Sequence, residues 1–465
     1  MLKPSHLKEL KAIVGPPYVS TSPEELVVYS YDATQRESLP WAVVRPRSSR
    51  EISEILKLAN RERFPVVPRG AGTGMSGGSV PVQGGVVLSL ERMNNILEID
   101  EQDFIAVVEP GVITGDLQRE VESRGLFYPP DPASNKFCTL GGNVAECAGG
   151  LRAVKYGVTK DYVLGLEVVL PTGEIITTGA RTVKSVAGYD LTKLIVGSEG
   201  TLGIATRITL KLLPLPETVR TLAAFFSEVA VAAKTASAIM ASGVLPRALE
   251  FVDQTALRAV EGYLKEDLSH GAAAMLLVEV DGPAESTARD ADRIAEILTR
   301  GGAVRVERAG SDAEREQLWK ARRAISPALY TIKPKKLNED IVVPRSRIAD
   351  SLHEIAAIAE RHGLLIVNFG HAGDGNIHTN ILFDAADLSK AEIAVKEIFA
   401  STLRLGGSIT GEHGIGLSKA AYLPMELGPE AIAAMKRIKQ ALDPNNILNP
   451  GKIFLDSDCG VRNAE

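Results

Sequence analysis

The chain has 465 residues, of which 45% are hydrophobic and 24% are charged, as is ordinary for a globular protein. This length exceeds the size at which one hydrophobic core keeps growing, so two or three domains are expected. Lysine and arginine total 52 against 58 acidic residues, which gives a net charge of −6, and no long basic run occurs. Nucleic acid is therefore not expected as a partner.

Cysteine usage and hydropathy exclude further classes. The three cysteines, Cys138, Cys147 and Cys459, form no C-x-x-C pair, which argues against a disulfide framework, a cysteine zinc site or an iron–sulfur cluster in this chain. The N-terminal MLKPSHLKEL lacks an apolar signal core, and the longest apolar stretches are shorter than the roughly 20 residues of a membrane span. We expect a cytoplasmic protein that associates with a membrane, if at all, peripherally through its partners.

The first half of the chain alternates strand-like and helix-like segments. Amphipathic SREISEILKLANRER and TGDLQREVESRG predict helices, and strand-like segments and loops rich in glycine and proline surround them. This organisation ends near the PLPE stretch, which reads as a linker. We assign residues 1–217 to a first domain.

The second half shows a different pattern of predicted helices and strands. Helices are predicted over 228–242, 284–301, 346–362 and 390–405, and strands with a period of two separate them. A sheet backed by helices, assigned to 218–410, is expected to form a separate domain that faces the substrate. Residues 411–465, with a helix around 429–442, are assigned as a segment that returns to the first domain.

One glycine-rich loop invites two interpretations. In RGAGTGMSGG (69–78), Gly72, Gly74 and Gly77 formally match G-x-G-x-x-G, but a strand rather than a helix follows, so a Rossmann fingerprint is not indicated. A P-loop is excluded because no G-K-[ST] occurs. Successive backbone N–H groups in such a loop can form a nest for a pyrophosphate. The alternative, a flexible surface turn, stays open on this stretch alone.

Four segments together carry a resemblance to a known family. PVVPRGAGTGMSGG, PPDPASNKFCTLGGNVAECAGG, KYGVTKDYVLGLEVV and GSEGTLGIATRITLKLLP resemble flavoprotein oxidoreductases with the vanillyl-alcohol-oxidase-type (PCMH-type) FAD-binding fold. Among these, the chain looks most like the FAD subunit of glycolate oxidase and the D-lactate and D-2-hydroxyglutarate dehydrogenases, over roughly residues 20–455. The resemblance implies an α+β protein in which 1–217 is the FAD-binding domain and 218–410 is a cap domain with a helix-backed antiparallel sheet.

The same resemblance implies which residues bind FAD. The cofactor is expected to be noncovalent, because the PRGAGTGMSGG loop has no histidine to tether the flavin. The implied FAD-binding residues are Arg69, Gly70, Ala71, Gly72, Thr73, Gly74, Ser76, Gly77, Gly78, Pro130, Asp131, Ser134, Thr139, Gly141, Gly142, Asn143, Gly149, Gly150, Glu199, Gly200, Gly203 and Ile204.

A pair of histidines seven residues apart suggests a metal site. LLIVNFG and NIHTNILF are strand-like, and Asp374-Gly375 between them is a hairpin signal. A two-residue turn there would place His371 directly opposite His378, with Cβ atoms about 4.5–5.5 Å apart. The pair alone is equally consistent with ordinary core histidines.

A second segment favours the metal interpretation. GSITGEHGIG (407–416) places Glu412 and His413 after a short strand and among glycines. Two imidazoles and a carboxylate would leave an open position for substrate, as catalytic zinc sites do. HAGDGNIH and GEHG resemble the metal-dependent members of the family, which implies His371, His378 and Glu412 as ligands. Zinc, manganese, iron or cobalt would suit such a set.

The family pattern also suggests catalytic residues. It implies His413 as the base, and Asn376, inside the same motif, is expected to contact metal or substrate. In the helix-like LWKARRAISPALY, Arg322 lies one turn from Ser326, and its resemblance to the hydroxyglutarate enzymes makes it our choice for the substrate carboxylate. Lys335 and Lys336 follow with a different spacing, which leaves a second anion clamp in doubt and favours lactate or glycolate.

The expected function is oxidation of a 2-hydroxy acid to the 2-oxo acid, with hydride transfer to flavin N5 and electrons passed to a partner. Because this chain has no cluster motif, the acceptor is expected to be an iron–sulfur subunit, an electron-transfer flavoprotein, a cytochrome or a quinone. The alternatives are a D-2-hydroxyglutarate dehydrogenase and a noncatalytic FAD-binding subunit of a glycolate oxidase complex, although such a subunit is expected to lack HAGDGNIH and GEHG, which are intact here. A nonredox transferase of the same fold that makes ether lipids is not favoured, because it is expected to carry a histidine-rich run and the sequence has none. A homodimer also stays open.

Overall fold

The computed structural model describes residues 2–269 and 271–455, so Cys459 lies outside the described residues. These residues divide into two compact units. The first holds the residues up to Ala148, Val158–Leu215 and the described residues from Glu412 onward, and the second holds Gly149–Gly157 and Pro216–Gly411. The short segment 149–157 therefore belongs to the second unit although the chain on both sides of it belongs to the first.

The first unit contains two sheets and a short strand pair. Its strands are β1 (Val19–Ser20), β2 (Ala42–Val44), β3 (Val66–Arg69), β4 (Val86–Ser89), β5 (Ile96–Asp100), β6 (Ile105–Val108), β7 (Leu126–Phe127), β8 (Val163–Val169), β9 (Ile175–Gly179), β10 (Ile204–Lys211) and β11 (Leu213–Pro214). The sheets have the orders β1-β2-β4-β3 and β5-β6-β10-β8-β9, and β7 pairs with β11. In the first sheet β4 runs parallel to both β2 and β3.

The helix after β2 shows why the helices of the first unit form where they do. Its N-terminus is capped by the Ser48 side chain, which accepts a hydrogen bond from the Glu51 N–H. Ile52, Ile55 and Ala59 recur at helical spacing and are fully buried. The helices are Pro4–Val14, Pro23–Val28, Ser49–Glu62, Thr114–Glu122, Leu140–Glu146, Thr159–Tyr162, Leu191–Ile195, Leu423–Glu426 and Pro429–Leu442, with a 3-10 turn at Pro16–Tyr18.

The second unit is built on one antiparallel sheet. Its strands are β12 (Thr218–Phe226), β13 (Ala248–Asp253), β14 (Ala274–Gly282), β15 (Arg305–Arg308), β16 (Lys335–Val342), β17 (Leu365–His371) and β18 (Asn376–Phe383). They lie in the order β15-β12-β14-β13-β17-β18-β16, and every neighbouring pair is antiparallel. The antiparallel sheet expected from the sequence is confirmed.

Helices back this sheet and bury its apolar residues. They are Ala153–Tyr156, Val229–Ala241, Gln254–Leu264, Ala284–Arg300, Asp312–Leu329, Ile348–His362 and Leu388–Arg404, with 3-10 turns at Arg345–Arg347 and Ala385–Asp387. The four helices predicted for this region are thus confirmed to within two residues at each end. Ile325 and Leu329 of the helix Asp312–Leu329 pack in one buried cluster with Val252 of β13 and Val367 of β17. This packing places the helix over the middle strands.

Hydropathy gives one further result. Within 2–269 and 271–455, no helix is both long and apolar enough to cross a lipid bilayer.

Candidate active site

The glycine loop 69–78 leaves the end of β3 and returns to the sheet through β4. Arg69 is buried at its start, where its guanidinium donates to the Tyr31 carbonyl at 2.7 Å and contacts the Ser79 hydroxyl at 3.2 Å. This side chain fills the space beside Gly72, where a Cβ would lie 2.1 Å from Nη2 and where φ is +71°. Only glycine fits there. Both ends of the loop are buried, whereas residues 70–75 between them are half-buried or exposed. Backbone N–H groups in such an exposed stretch can bind a phosphate-bearing cofactor.

The second predicted FAD segment lies against this loop. Thr139 caps the helix Leu140–Glu146 by accepting the Gly142 N–H, and a Cβ on Gly70 would lie 2.3 Å from the Thr139 hydroxyl. Asn143 is buried and donates to Thr114 at 2.8 Å. The structure therefore brings the segments containing Gly70 and Thr139–Asn143 together, with glycine at the points where the two backbones approach most closely.

Two other predicted segments lie in the same unit. Pro130 accepts from Gln118, and Asp131 accepts from Asn135, in the loop that leads through Ser134 to Thr139. Glu199, with φ +53°, begins the turn through Gly200 and Gly203 into β10 at Ile204. The Asn449 amide donates to both the Glu199 and the Gly78 carbonyls at 2.9 Å, and so links this turn to the glycine loop. The remaining pair, Gly149 and Gly150, is part of the second unit.

The sequence did not single out Glu146, which lies beside the glycine loop. A Cβ on Gly78 would lie 2.8 Å from Glu146 Oε1, and a Cβ on Gly414 would lie 2.7 Å from Oε2. Burial, with a smaller contribution from Glu199, raises the pKa of Glu146 well above its usual range. The acid in the middle of GGNVAECAGG was the available signal.

The histidine hairpin in the second unit has a different register from the one predicted. His371 pairs with Asn376 and His378 pairs with Phe369, because Ala372–Gly375 all lie in the connection between β17 and β18. The prediction of a two-residue turn with directly opposed histidines was wrong. The Gly375 N–H bonds back to the His371 carbonyl at 3.0 Å, and Gly375 has φ +91°, which closes a longer turn.

The longer turn nevertheless brings the two imidazoles together. In this register His371 and His378 are diagonal neighbours on the same face of the sheet, within reach of side chains as long as histidine. Their Nε2 atoms are 3.4 Å apart, and the rings meet edge to face with centroids 5.1 Å apart. Both side chains are buried. The geometry that one shared ion requires is therefore reached through a diagonal pair.

Glu250 on β13 orients the first histidine. Its Oε1 lies 2.6 Å from His371 Nδ1, and its Oε2 accepts from Arg322 Nε at 2.8 Å and Nη2 at 2.7 Å. Burial alone would raise the pKa of Glu250, but the charges of His371 and Arg322 outweigh burial and hold this pKa at about 2. An ionised Glu250 accepts an N–H from Nδ1 of His371. When a cation replaces the proton on Nε2, Arg322 remains as the positive charge beside Glu250, and the lone pair of Nε2 becomes available to the cation.

Arg322 thus has a partner that the sequence analysis did not foresee. The helix Asp312–Leu329 places its guanidinium 4.7 Å from the centre of the Phe369 ring and pairs it with Glu250. Ser326, one helical turn after Arg322, accepts a hydrogen bond from the Lys336 ammonium at 2.9 Å. A glutamate inside the apolar strand RALEFVD was the signal that could have identified Glu250.

The third predicted metal ligand follows the last residue of the second unit. The Gly411 N–H donates to the Asp340 carboxylate at 2.9 Å, and Ser408 forms only an isolated bridge with Val342 rather than the short strand expected there. Glu412 and His413 come next in the chain. One ligand atom each from His371, His378 and Glu412 lie within 4.8 Å of one another. This donor set suits a divalent cation and leaves coordination positions for other ligands.

Asn376 lies at the base of the same hairpin. Its side-chain amide donates to the Ile341 carbonyl at 3.0 Å, and a Cβ on Gly411 would lie 2.5 Å from Nδ2. Asn376 therefore fixes β18 against β16 and lies against the residue that precedes Glu412.

Comparisons with known proteins place the chain in a family. Residues 40–179 match the FAD binding domain, and residues 215–453 match the C-terminal domain of FAD linked oxidases. The chain is 51% identical over 451 residues to the glycolate oxidase subunit GlcD of Bacillus subtilis (strain 168), with 96% of each chain covered. It is 38% identical over 441 residues to a D-lactate dehydrogenase of Anaerostipes hadrus, with 92% of this chain and 91% of that protein covered.

Solved structures agree on the fold. The TM-score is 0.82 with p-cresol methylhydroxylase, at 19% identity and with 97% and 96% of the two chains covered. It is 0.75 with alkyldihydroxyacetonephosphate synthase, at 21% identity and with 97% and 86% covered. These likenesses concern the fold alone and confirm the vanillyl-alcohol-oxidase-type architecture that the sequence motifs predicted. The chain therefore belongs to the FAD linked oxidases, as a flavoprotein oxidoreductase related to glycolate oxidase subunits and D-lactate dehydrogenases.

Proposed function

We propose that this protein is an FAD- and divalent-metal-dependent dehydrogenase that oxidises a small 2-hydroxy acid, D-lactate or glycolate, to the 2-oxo acid. The observation that carries the proposal is the cluster of His371, His378 and Glu412. Further support comes from Glu250, whose Oε1 lies 2.6 Å from Nδ1 of His371, the kind of carboxylate contact that orients metal-ligating histidines. The named activities of the relatives, glycolate oxidase subunit and D-lactate dehydrogenase, agree with this substrate class.

Each role in this reaction would fall to specific residues of the chain. His371, His378 and Glu412 would hold the cation, which makes a bound alcohol more acidic. His413 would accept the hydroxyl proton, because a neutral imidazole can act as a general base. Arg322 would orient the substrate carboxylate, and Asn376 would contact metal or substrate. FAD, when bound, supplies the acceptor for the hydride at N5.

The FAD-binding residues are proposed from the loops of the first unit. The segments around Gly72, Gly142 and Glu199 would hold the cofactor through backbone N–H groups, and Gly149-Gly150 would add a fourth contact. Noncovalent attachment is part of the proposal.

Electrons must then leave the reduced flavin. The relatives named GlcD are described as subunits, which supports a partner protein as the acceptor for this chain too. An iron–sulfur subunit, an electron-transfer flavoprotein, a cytochrome or a quinone would each serve.

The decisive experiment is an anaerobic flavin-reduction screen. Purified protein loaded with FAD is mixed with D-lactate, L-lactate, glycolate or D-2-hydroxyglutarate, and flavin absorbance is followed. We expect bleaching by D-lactate or glycolate, its loss after chelator treatment and its return with a divalent ion. Preference for D-2-hydroxyglutarate would favour the alternative enzyme, and bleaching by none of these acids would favour a noncatalytic FAD-binding subunit.

A further inference from the structure

The segment 149–157, which we call the excursion, belongs to the second unit, whereas the chain on both sides of it belongs to the first. Ala148 before it and Val158 after it belong to the first unit, whereas its nine residues belong to the second. Its two ends are held together by Thr159, whose N–H and hydroxyl donate to the Ala148 carbonyl at 3.1 Å and 2.7 Å. Thr159 is fully buried. Two hydrogen bonds from one buried residue therefore join the two ends of the segment.

A single carboxylate anchors the far end of the excursion. Asp281, near the end of β14, has a fully buried side chain that accepts from the Lys155 ammonium and from the Tyr156 hydroxyl at 2.8 Å. Lys155 also donates to the Asp281 carbonyl at 2.8 Å. Arg247 adds a second cation at 3.2 Å from the same carboxylate. Removing the partners of a buried charge is costly, so this anchor resists release.

Apolar contacts connect the excursion to the histidine hairpin. A Cβ on Gly373 would lie 2.6 Å from Val154 Cγ2, so Val154 occupies the space above the turn between His371 and His378. The Gly373 N–H bonds to the Leu249 carbonyl at 3.1 Å, next to Glu250. The excursion thus rests on the same turn that positions the two histidines.

We propose that residues 149–157 form a positioning strap, in which Lys155 and Tyr156 are positioning residues held by Asp281. The strap sets the glycine pair Gly149-Gly150 in a fixed relation to the His371–His378 hairpin. The inference rests on the proposed function, in which this glycine pair contacts FAD and the hairpin holds the metal. A nine-residue segment whose two ends are joined and that is fixed at Lys155–Tyr156 leaves Gly149-Gly150 little freedom to move.

The test uses the full chain with Lys155→Met and Tyr156→Phe combined. This variant removes the bonds from the strap to the Asp281 carboxylate and keeps the Asp281–Arg247 pair. FAD binding to the apoprotein is measured by flavin fluorescence, and hydrogen exchange is followed for the amides of 149–157. We expect the Kd for FAD to rise about tenfold or more, on the scale of a lost buried ion-pair partner, and these amides to exchange faster. Lys155→Arg, which keeps the charge, should restore a Kd within about threefold of wild type.

The matched control is Thr221→Val. It removes the hydrogen bond from Thr221 to Glu279 in the same sheet and touches no residue of the strap. We expect this variant to lower the melting temperature while it changes the Kd for FAD by less than about twofold. Equal Kd values in wild type, control and strap variant would overturn the strap, and so would equal losses in both variants. A wild-type protein that takes up no FAD would overturn the proposed function, and the strap with it.

Discussion

Glu250 lies 2.6 Å from Nδ1 of His371 and pairs through its other oxygen with Arg322, and the charges of His371 and Arg322 together lower the pKa of this carboxyl. This arrangement resembles the carboxylate–histidine pairs that fix the tautomer and direction of metal-ligating imidazoles. Nε2 of His371 then faces Nε2 of His378 at 3.4 Å, ready to share a cation.

Replacing Glu250 by Gln should weaken metal binding without unfolding the sheet. The amide keeps the volume of the side chain, but it can donate as well as accept a hydrogen bond and so no longer selects the His371 tautomer that is protonated at Nδ1. The affinity for the divalent ion should therefore fall about 10–100-fold. Titration calorimetry on metal-free protein measures this. Glu354→Gln, which makes the same chemical change at a partly exposed carboxylate that accepts from Arg404, is the control. Unchanged affinity in Glu250→Gln would remove the orienting role.

Replacing His413 by Ala should separate chemistry from cofactor binding. We expect FAD and metal to bind as in wild type, while anaerobic flavin reduction by the preferred acid slows by about 10²–10⁴-fold because the base is lost. Stopped-flow absorbance gives the rate. His362, whose ring contacts Glu397, supplies the control substitution His362→Ala. A rate close to wild type in His413→Ala would mean that another group takes the proton.

Arg322→Lys should show whether the guanidinium recognises substrate. Lysine keeps the charge opposite Glu250 but loses the planar fork, so the KM for the acid should rise about tenfold or more if a carboxylate binds there. Arg323→Lys is the matched control, because the neighbouring Arg323 is exposed and pairs with Glu316 on the same helix. If Arg322→Lys alters metal affinity and leaves KM unchanged, its role is confined to Glu250.

The pH dependence of the melting temperature should reflect the lowered pKa of Lys336. Burial lowers the pKa of this ammonium from 10.5 to about 8. Between these values the unfolded chain binds more protons than the folded chain, so raising the pH through this window stabilises the fold. The melting temperature of Lys336→Met relative to wild type should therefore decrease between pH 7 and pH 10. Lys335→Met, at the exposed neighbouring position, should show no such trend, and a constant difference for Lys336→Met would contradict the shift.

The elements of the second unit were readable from periodicity, but the register of the key hairpin was not. The strand-like segments LLIVNFG and NIHTNILF correctly indicated two strands. Asp374-Gly375 suggested the shortest turn, yet Gly370 and Gly375 both take positive φ values that allow a longer connection. A register is decided by pairing with the neighbouring strands, here β13 and β16, and that information lies over a hundred residues away in the chain for β13.

The same reason explains which site residues were missed. The motifs and the family resemblance predicted His371, His378 and Glu412 as a group, and one ligand atom of each lies within 4.8 Å of the others. The cationic partners of Glu250 and Asp281 lie far away in the sequence. A local sequence pattern therefore does not show that either carboxylate is buried in an ion pair. The membership of 149–157 in the second unit is equally invisible locally, since it depends on where Asp281 lies.

The shared carboxylate of Glu250 also constrains how such an enzyme can diversify. One acid serves both a guanidinium and an imidazole. Under the proposed function, a lineage that exchanges Arg322 to bind a differently shaped substrate would also have to supply a new cation for Glu250. Selectivity and metal loading would then evolve as linked traits, and laboratory redesign would have to vary positions 250 and 322 together.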